Sequence, residues 1–382
     1  MCPLKEAARD APNLLAILSS SLSLTFSELD KYVDQINDCP LIVRETSPLH
    51  FIALLFAAWR RDSSLFPLNP RLPQTPSIPS PPPRSLLLLT SGSTGTPKIA
   101  ILSLSNLLVN ASSAITAIDL RPNDQWKLSL PLYHVGGIGI ILRCILARAT
   151  IVLDDSPNIT HLSCVPTHLY RATPVYKNLR CLLVGGAPIP SYPFPINTTY
   201  GLTEMSSMVT LNGNLLPNRE LRLASDGEIF VRGPTLFQGY VGQPPQTNWF
   251  ATGDLGHFNQ GRLEIVGRKD WMFISGGENI QPEEIERELE LLPEVIEAVV
   301  VPKEDPEFGK RPVAFISARN VFDLKRMQSA LSVRLPKFKI PIELHLVDEI
   351  PKKNNLKPDR IILTQAINGK LDRNTSVQKK GG

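Results

Sequence analysis

The stretch from Leu86 to Ala100, LLLLTSGSTGTPKIA, joins a short apolar run to seven residues that are all Ser, Thr or Gly, followed by Pro97 and Lys98. The apolar run SLLLLT is bounded by turn residues, which is typical of a buried strand. Glycines let backbone N–H groups point toward an anion, hydroxyls add donors, and a lysine adds positive charge. The segment therefore predicts a strand that ends in a loop able to hold phosphate groups.

This loop differs from the P-loop of nucleotide hydrolases, in which G-x-x-x-x-G-K-[ST] leads straight into a helix. Here Pro97 biases Thr96 away from helical backbone angles. Taken alone, a Gly/Ser loop of this kind is more often an ordinary surface turn than a phosphate site. The other motifs of the chain distinguish between a phosphate-binding loop and a surface turn.

Composition narrows the class of protein. The chain has 382 residues, enough for two or three domains, and its 42% hydrophobic and 20% charged residues are typical of a globular protein. A net charge of +4 with scattered basic residues does not indicate a nucleic-acid partner. Five scattered cysteines without a C-x-x-C pair indicate reduced thiols and predict a cytoplasmic protein. The apolar run 135–153 is interrupted by Arg143 and Arg148, so no membrane span is predicted.

Short apolar runs at 149–153, 180–186 and 227–233 read as strands, and 105–118 reads as a helix. Strands that alternate with helices predict α/β architecture with largely parallel sheets. Beyond residue 267 the pattern changes to a charged amphipathic helix over 281–295, two strands and a second helix. This change predicts a small separate α+β domain.

Seven motifs in a fixed order identify a family resemblance. They are TSGSTGTPK (90–98), PLYHVGGIGI (131–140), LLVGGAPIP (182–190), TTYGLTEMSS (198–207), ATGDLGHF (251–258), GRKDWMFISGGENIQPEEIE (267–286) and PKKNNLKPDR (351–360). Together they resemble the adenylate-forming superfamily of acyl- and aryl-CoA ligases, luciferases and peptide-synthetase adenylation domains. The resemblance implies an α/β fold with a large N-terminal domain of stacked mixed sheets and helices (1–267). A small mobile α+β C-terminal lid domain (268–382) would follow.

The resemblance implies that the first motif closes over the β- and γ-phosphates of ATP. The residues that would contact these phosphates are Thr90, Ser91, Gly92, Ser93, Thr94, Gly95 and Lys98. The third and fourth motifs would form the adenine side, where glycines leave room for a flat base and a tyrosine ring stacks on it. The residues of this second set are Gly185, Gly186, Ala187, Tyr200 and Gly201.

Three further residues are implied to lie at the reacting end. By resemblance, His134 lies beside the acyl pocket, Thr203 contacts the phosphate of the acyl-adenylate, and Glu204 holds Mg²⁺. A hard cation needs oxygen ligands and usually sits between a carboxylate and substrate phosphates, so a single glutamate is enough. The Gly136-Gly137 pair after the histidine is expected to let a ligand approach the backbone closely.

The motifs between residues 251 and 286 contain the residues expected to contact the ribose, to form the hinge and to line the entry of the coenzyme A thiol. The Asp254 carboxylate can accept hydrogen bonds from both ribose hydroxyls. The resemblance adds Arg268 at the ribose or phosphate, the hinge at Asp270, and the entry of the coenzyme A thiol near Gly276 and Gly277. ATP, Mg²⁺ and coenzyme A as co-substrate are therefore expected.

The catalytic lysine has two candidates. Family members end in a proline, four residues, then a Gly-Lys-x-Asp-Arg-like element, whose lysine stabilises charge developing between the carboxylate and the α-phosphate. In PKKNNLKPDR, Lys357 has the expected distance from Pro351, although Leu356 stands where glycine is usual. In NGKLDR, thirteen residues later, Lys370 matches the local pattern better but lies far past the preceding strand. We expect Lys357 and keep Lys370 as the alternative.

The acid is the least determined part of the prediction. Nothing downstream resembles a carrier domain, and LSCVPTHLYR (162–171), LLVGGAPIP and ISGGENIQPEEIE resemble the 2-succinylbenzoate–CoA ligases of menaquinone biosynthesis. Only nine residues, 189–197, separate GGAP from TTYG, too few for the helix and strand that usually lie there. Cationic or hydrogen-bonding candidates for a second carboxylate are Arg143, Thr167, His168 and Arg171.

The sequence thus predicts a cytoplasmic, ATP-dependent acid–CoA ligase that acts through an acyl-adenylate. A small-molecule carboxylic acid is the expected partner, without nucleic acid or a membrane span, and a homo-oligomer is left open. Two alternatives remain. One is a ligase for another aryl or fatty acid, or an enzyme that adenylates without coenzyme A. The other is a non-catalytic nucleotide-binding homologue.

Overall fold

The computed structural model of the protein describes residues 2–44, 46–70, 72, 76, 78, 80–90, 98–166, 176–186, 195–319, 324–353 and 357–368, with residues 353 and 357 by their backbone alone. Across these ranges no helix combines the length and the apolar character that crossing a bilayer requires. The helices are α1 (Pro3–Asp10), α2 (Phe26–Asp34), α3 (Pro48–Arg60), α4 (Leu104–Ile118), α5 (Val135–Ala147), α6 (Pro282–Glu290), α7 (Leu324–Ser332) and α8 (Arg360–Ile367).

Nine of the described strands form the largest sheet. In chain order they are β1 (Leu15–Leu18), β2 (Ser23–Thr25), β7 (Gln125–Lys127), β8 (Thr150–Val152), β9 (His161–Cys164), β10 (Cys181–Gly185), β11 (Asn197–Leu202), β12 (Ser207–Leu211) and β13 (Asn214–Leu215). Their order across the sheet is β13-β12-β11-β10-β9-β7-β8-β1-β2. The pairs from β11 to β1 are parallel, and the edge strands β2, β12 and β13 are antiparallel to their neighbours. This sheet confirms the predicted α/β architecture.

A three-stranded antiparallel sheet carries the segment that opened the sequence analysis. Its strands are β5 (Ser85–Thr90), β6 (Lys98–Ser103) and β16 (Gly239–Tyr240), in the order β16-β6-β5. The predicted strand is β5, and Thr90 lies opposite Lys98 across the β5–β6 pair. The Ser/Thr/Gly loop therefore connects two antiparallel strands, while residues 91–97 themselves lie outside the described residues. Two short strands that precede β5 in the chain, β3 (Ile42–Val43) and β4 (Phe66–Pro67), form a parallel pair.

The helices of the N-terminal part pack into one large apolar core. Residues 51–59 of α3 are all buried, as is most of α5 from Gly137 to Ala147. Helices that are apolar on every side are expected in a protein interior. The predicted helix 105–118 is α4, which begins with a capping box. The Ser103 hydroxyl accepts from the Asn106 N–H at 3.1 Å, and the Asn106 side-chain oxygen accepts from the Ser103 N–H at 3.0 Å.

A four-stranded antiparallel sheet follows in the chain. Its strands are β14 (Glu220–Leu223), β15 (Glu228–Arg232), β17 (Phe250–Asn259) and β18 (Arg262–Arg268), ordered β14-β15-β17-β18. The register of β17 and β18 places Asp254 directly opposite Arg268. Two residues that are fourteen positions apart in the sequence therefore become cross-strand neighbours.

The C-terminal part has its own sheets and its own core. Its strands are β19 (Phe273–Ser275), β20 (Glu278–Ile280), β21 (Val295–Asp305), β22 (Gly309–Ala318), β23 (Glu343–Leu346), β24 (Lys352–Lys353) and β25 (Lys357–Pro358). One buried cluster ends at Leu263 and the next begins at Phe273. The predicted domain boundary at 267/268 lies between these clusters, and it stays a prediction.

The sequence pattern overestimated one helix. The predicted helix over 281–295 ends at Glu290 in the structure, and β21 begins at Val295. Pro293 explains the difference, because a proline lacks a backbone N–H and biases the preceding residue toward extended angles.

Candidate active site

Three residues predicted to contact the nucleotide are joined by hydrogen bonds. One lies on β11 of the largest sheet, and the other two lie on β17 and β18 of the four-stranded sheet. The Tyr200 phenol on β11 donates to Asp254 Oδ2 at 2.7 Å. Arg268 on β18 donates from Nη1 to the other carboxylate oxygen, Asp254 Oδ1, at 2.8 Å. Burial, and then the charge of Asp254, raise the pKa of Tyr200 well above its usual value, so the phenol is a neutral donor at physiological pH.

Arg268 is held by more than its ion pair with Asp254. Its guanidinium also donates to the Thr252 carbonyl at 2.9 Å and to Asp270 Oδ2 at 3.0 Å. Gly253 has φ of +71°, and a Cβ there would lie 2.9 Å from Arg268 Nη2. A glycine is therefore required beside the guanidinium. The predicted hinge residue Asp270 is bonded to the predicted nucleotide arginine.

Lys98 and Glu204 meet at a tyrosine that the sequence analysis did not identify. The Tyr240 phenol donates to Glu204 Oε1 at 2.7 Å, and Lys98 Nζ lies 5.0 Å from the centroid of the Tyr240 ring. Burial, and then the charge of Glu204, raise the pKa of Tyr240. Tyr240 sits in FQGYV, a segment without motif spacing, and only the pairing of β16 with β6 brings it to Lys98.

The turn that carries Thr203 and Glu204 is fixed from several directions. It is a 3₁₀ turn, Thr203–Met205, whose Glu204 carbonyl accepts from the Phe237 N–H at 2.8 Å. The buried Asn110 side chain on α4 donates to the Met205 carbonyl at 2.8 Å. The next residue, Ser206, has φ of +60°, a conformation that costs a non-glycine residue free energy and persists only where the surroundings hold it.

Gly201, just before this turn, is required by packing. A Cβ at Gly201 would lie 2.2 Å from the Ser207 carbonyl oxygen. Because that oxygen is a backbone atom of the paired strand, it cannot move aside as a flexible side chain would. The glycine thus lets the Glu204 turn close against β11.

Packing gives two of the predicted glycines a second reason. At Gly137 a Cβ would lie 2.4 Å from the Pro131 carbonyl oxygen, so a larger residue would meet the chain's own backbone, and the expected close approach of a ligand stays a prediction. At Gly185 a Cβ would lie 2.5 Å from Thr199 Cγ2, which gives packing against β11 as a reason for the glycine. Gly186 has φ of +85°, and Ala187 lies outside the described residues. The adenine contacts of this segment stay a prediction.

His134 and the thiol-entry glycines lie at element ends. His134 is the residue before α5, and its ring centroid is 4.7 Å from that of Tyr133. Gly276 and Gly277 form the turn between β19 and β20 with φ of +57° and +88°. A Cβ at Gly276 would meet the Phe308 ring at 2.8 Å, whereas none of the described atoms would lie within 4 Å of a Cβ at Gly277.

The structure describes the backbone of one of the two lysine candidates, Lys357. Lys357 begins β25, which pairs with β24, and Asp359 then caps α8 by accepting from the Ile362 N–H at 3.2 Å. Arg360 is buried against Glu286. The Asp-Arg pair after Lys357 therefore ties its hairpin to the fold, while Lys370 lies outside the described residues.

Of the four candidates for a second carboxylate, the structure describes Arg143. It is 2% exposed, donates from Nη2 to the Ser207 hydroxyl at 3.1 Å, and lies 5.6 Å from the Trp126 ring centroid. Burial lowers its pKa to about 10. Its described contacts are thus inside the protein, where it supports the strand after the Glu204 turn. The other three candidates, Thr167, His168 and Arg171, lie outside the described residues.

The donor set suits a metal–nucleotide complex better than a metal alone. No cluster of three or more His, Cys, Asp or Glu side chains occurs in the described parts of the chain. Glu204 is 9% exposed, and the ion pairs found among these parts do not include it. A single carboxylate such as that of Glu204 fits a hard cation that takes its other ligands from phosphates and water.

Comparisons with known proteins show the family and the fold of the chain. A family model described as AMP-binding enzyme matches residues 43–241, and one described as AMP-binding enzyme C-terminal domain matches residues 284–357. The 2-succinylbenzoate–CoA ligase of Salmonella typhimurium is 36% identical over 74% of this chain, and that of Escherichia coli is 38% identical over 60%. The chain spans 68% and 57% of the lengths of these two curated relatives.

Solved structures match over more of the chain. A variant of E. coli MenE with bound OSB-AMS superposes with a TM-score of 0.80 at 26% identity, covering 97% of this chain and 98% of that one. Bacillus subtilis MenE in complex with the acyl-adenylate intermediate OSB-AMP superposes with a TM-score of 0.82 over 95% and 97% of the two chains. At 23% identity the second match shows the fold alone. The predicted fold, a large N-terminal α/β part with a small C-terminal part, is confirmed.

Proposed function

The chain belongs to the family of AMP-binding enzymes, and we propose that it is an AMP-forming acid–CoA ligase whose acid is 2-succinylbenzoate. In the first half-reaction the acid's carboxylate oxygen attacks the α-phosphorus of ATP, giving acyl-adenylate and pyrophosphate. In the second, the thiol of coenzyme A loses its proton, its sulfur attacks the acyl carbon, and AMP leaves. The single observation that carries the proposal is the convergence of Tyr200, Asp254 and Arg268 at one point.

This cluster fits the nucleoside of ATP. Asp254 accepts one hydrogen bond on each carboxylate oxygen, from Tyr200 and from Arg268. Each oxygen keeps a further lone pair, so the carboxylate can also accept from the ribose hydroxyls. Arg268 adds a fixed positive charge, and the family resemblance implies that it contacts the ribose or a phosphate.

A second cluster, formed by Lys98, Tyr240 and Glu204, fits the triphosphate of ATP. Lys98 and the loop 90–95 would hold the β- and γ-phosphates, and Glu204 would hold Mg²⁺. When bound, Mg²⁺ neutralises part of the negative charge on the phosphates. Thr203, next to Glu204 on the same turn, would contact the α-phosphate of the adenylate, and His134 would lie beside the acyl group.

The C-terminal part, residues 268–382, would act as a lid with its hinge at Asp270. In the adenylation step Lys357 would stabilise the charge that develops as the carboxylate attacks. A rotation about the hinge would then withdraw Lys357 and present Gly276 and Gly277 to coenzyme A, a hinge motion of a common kind. The bond from Arg268 to Asp270 would have to adjust in that rotation, because it joins the nucleotide site to the hinge.

Three features remain proposals from the sequence. They are the cytoplasmic location, the absence of a nucleic-acid partner, and the place of the reaction in menaquinone biosynthesis. The names of the curated relatives support 2-succinylbenzoate as the acid, and the state of assembly stays open.

The test is formation of the thioester from ATP, coenzyme A and 2-succinylbenzoate by the full chain, with Lys357→Ala and Lys370→Ala measured beside it. We expect product from the parent and from Lys370→Ala, and little from Lys357→Ala. Benzoate, which lacks the entire succinyl side chain with its carboxylate, is the control acid and should react poorly.

Substrate-dependent pyrophosphate release, measured with coenzyme A present and absent, separates the alternatives. Release with another acid would redirect the substrate assignment, and release without a following thioester would exclude the ligase step. ATP binding without turnover of any acid would support the non-catalytic homologue instead.

A further inference from the structure

Tyr240 lies between two opposite charges of the proposed polyphosphate site. Its phenol donates to Glu204 Oε1 at 2.7 Å, and its ring centroid is 5.0 Å from Lys98 Nζ. In the described parts of the chain, neither Lys98 nor Glu204 forms an ion pair within 4.0 Å. Tyr240 therefore contacts both the lysine and the glutamate, and these two side chains do not pair with each other.

The position of the Tyr240 ring is fixed by its neighbours. Tyr240 pairs with Ala100 on β6, two residues after Lys98 and on the same side of the strand. The Phe237 ring packs edge-on against it with centroids 4.8 Å apart at 71°. The Phe237 N–H also donates to the Glu204 carbonyl at 2.8 Å. The segment that holds the Glu204 backbone thus also holds the ring.

A direct contact between the lysine and the glutamate would oppose ligand binding. An ammonium–carboxylate pair satisfies both charges, and a metal–nucleotide complex would then have to break it. A phenol offers each group a weaker substitute, a hydrogen bond to the carboxylate and a π face to the ammonium. The carboxylate also keeps its second oxygen for a cation.

We propose that Tyr240 is a positioning residue that holds Lys98 and Glu204 apart and oriented, the lysine for phosphate and the glutamate for the divalent cation of a metal–nucleotide complex. This inference rests on the proposed function, which assigns Lys98 and Glu204 to that complex. It adds a residue outside the predicted motifs and a reason why the two charges do not pair.

The test is a double-mutant cycle on binding, not on turnover. Calorimetry measures the affinity for ATP with Mg²⁺, and for ATP in the presence of a chelator, without acid or coenzyme A. Tyr240→Phe keeps the ring and removes the hydroxyl. We expect it to weaken Mg²⁺·ATP binding about tenfold, because Glu204 loses its phenol partner and can pair with Lys98, and the metal–nucleotide complex must then break that pair. Binding of metal-free ATP should weaken about threefold or less, because Glu204 is not needed there.

The second arm of the cycle repeats the substitution in the Lys98→Met background. There the Glu204 carboxylate has no lysine to pair with, so Tyr240→Phe should cost about twofold or less. A residue with a purely structural role would give the same loss in both backgrounds. That result, or unchanged binding by Tyr240→Phe alone, would overturn the inference.

Tyr176→Phe is the matched control. The Tyr176 phenol also donates to a carboxylate, Asp155 Oδ1 at 2.7 Å, and accepts from Lys127 at 3.3 Å, but neither of these partners is a predicted site residue. It should leave Mg²⁺·ATP affinity unchanged, and melting temperatures of all variants show that each is folded.

The outcomes separate this inference from the proposed function. If the parent binds Mg²⁺·ATP and the cycle shows coupling, but no thioester forms, the substrate assignment fails and Tyr240 keeps its role. If thioester forms and the cycle shows no coupling, the role of Tyr240 fails and the function stands. If the parent does not bind Mg²⁺·ATP, both fail.

Discussion

Replacement of Arg360 by methionine should destabilise the C-terminal part far more than a surface substitution does. Arg360 and Glu286 form a bidentate ion pair, in which Nη1 donates to Oε1 at 2.5 Å and Nη2 donates to Oε2 at 2.7 Å. Their side chains are 10% and 7% exposed. Arg360 also donates to the Val300 carbonyl at 2.8 Å and lies 5.6 Å from the Trp271 ring centroid.

The size of the effect follows from what Arg360→Met leaves behind. Burial already raises the pKa of Glu286 even with Arg360 present, so the carboxylate without its partner is a poorly compensated buried charge. Removing one partner of such a pair costs about 3–5 kcal/mol. That is a large part of the total stability of a domain, about 5–15 kcal/mol. Methionine fills a similar volume, so little of the loss would come from a cavity.

The assay is hydrogen exchange followed by mass spectrometry on peptides covering α6, β21 and α8. In Arg360→Met these peptides should exchange with an opening free energy lower by about 3–5 kcal/mol. Adding Glu286→Gln removes the stranded charge and should recover more than half of the loss. Arg334→Met is the control, because Arg334 is 46% exposed and lies 3.6 Å from Glu288. Such surface pairs contribute about 0–1 kcal/mol.

Two results would refute this reasoning. A loss below about 1 kcal/mol in Arg360→Met would place the pair in the class of surface ion pairs. An equal loss in the double variant would mean that packing on Trp271, rather than the stranded charge, causes the destabilisation. Because Lys357 lies three residues before Arg360, the single variant should also lose adenylation activity while keeping ATP affinity.

Three further predictions concern backbone and pH. Gly201→Ala places a Cβ 2.2 Å from the Ser207 carbonyl oxygen, so it should cost about 1–3 kcal/mol in urea unfolding and weaken Mg²⁺·ATP binding through the displaced turn. Gly253→Ala meets φ of +71° and the Arg268 guanidinium at 2.9 Å, so it should cost about 1 kcal/mol or more and raise the KM for ATP. Burial, and then a neighbouring carboxylate, raise the pKa of Glu290 from 4.5 to about 8. Between these values the folded state keeps a proton that the unfolded state has lost. Stability should therefore fall as pH rises from 5 to 8, by at most about 1.4 kcal/mol per pH unit, and Glu290→Gln should flatten this profile in unfolding measured at pH 5 to 9.

The sequence predicted the family through the order of its motifs. Taken alone, TSGSTGTPK and ATGDLG pass for turns and TTYGLTE passes for a helix start, and their common order excludes coincidence. It also predicted the strand at Ser85–Thr90 and the helix at 105–118, because apolar runs and capping residues act over a few neighbouring positions. The helix over 281–295 was too long because its amphipathic pattern continues past the point where Pro293 ends the hydrogen bonding.

Two glycines have structural roles that their neighbours in the sequence do not predict. Gly137 was expected to admit a ligand, and the structure adds a packing constraint, because a Cβ there would lie 2.4 Å from the Pro131 carbonyl oxygen. Gly253 was not singled out at all, although its positive φ and its contact with Arg268 make it a requirement of the site. In both cases the neighbour that decides the role belongs to another part of the backbone, and residue type alone does not identify it.

The sequence by itself determined the class of chemistry, because residues such as Lys98, Glu204, Asp254 and Arg268 carry the charges that a metal–nucleotide complex requires. Only the tertiary structure brought Tyr240 between Lys98 and Glu204, and Arg360 onto Glu286. Motif spacing records which groups are present along a chain. Which of them pair, and which are kept apart, depends on strand register and burial, because these set the distances and the dielectric in which charges interact.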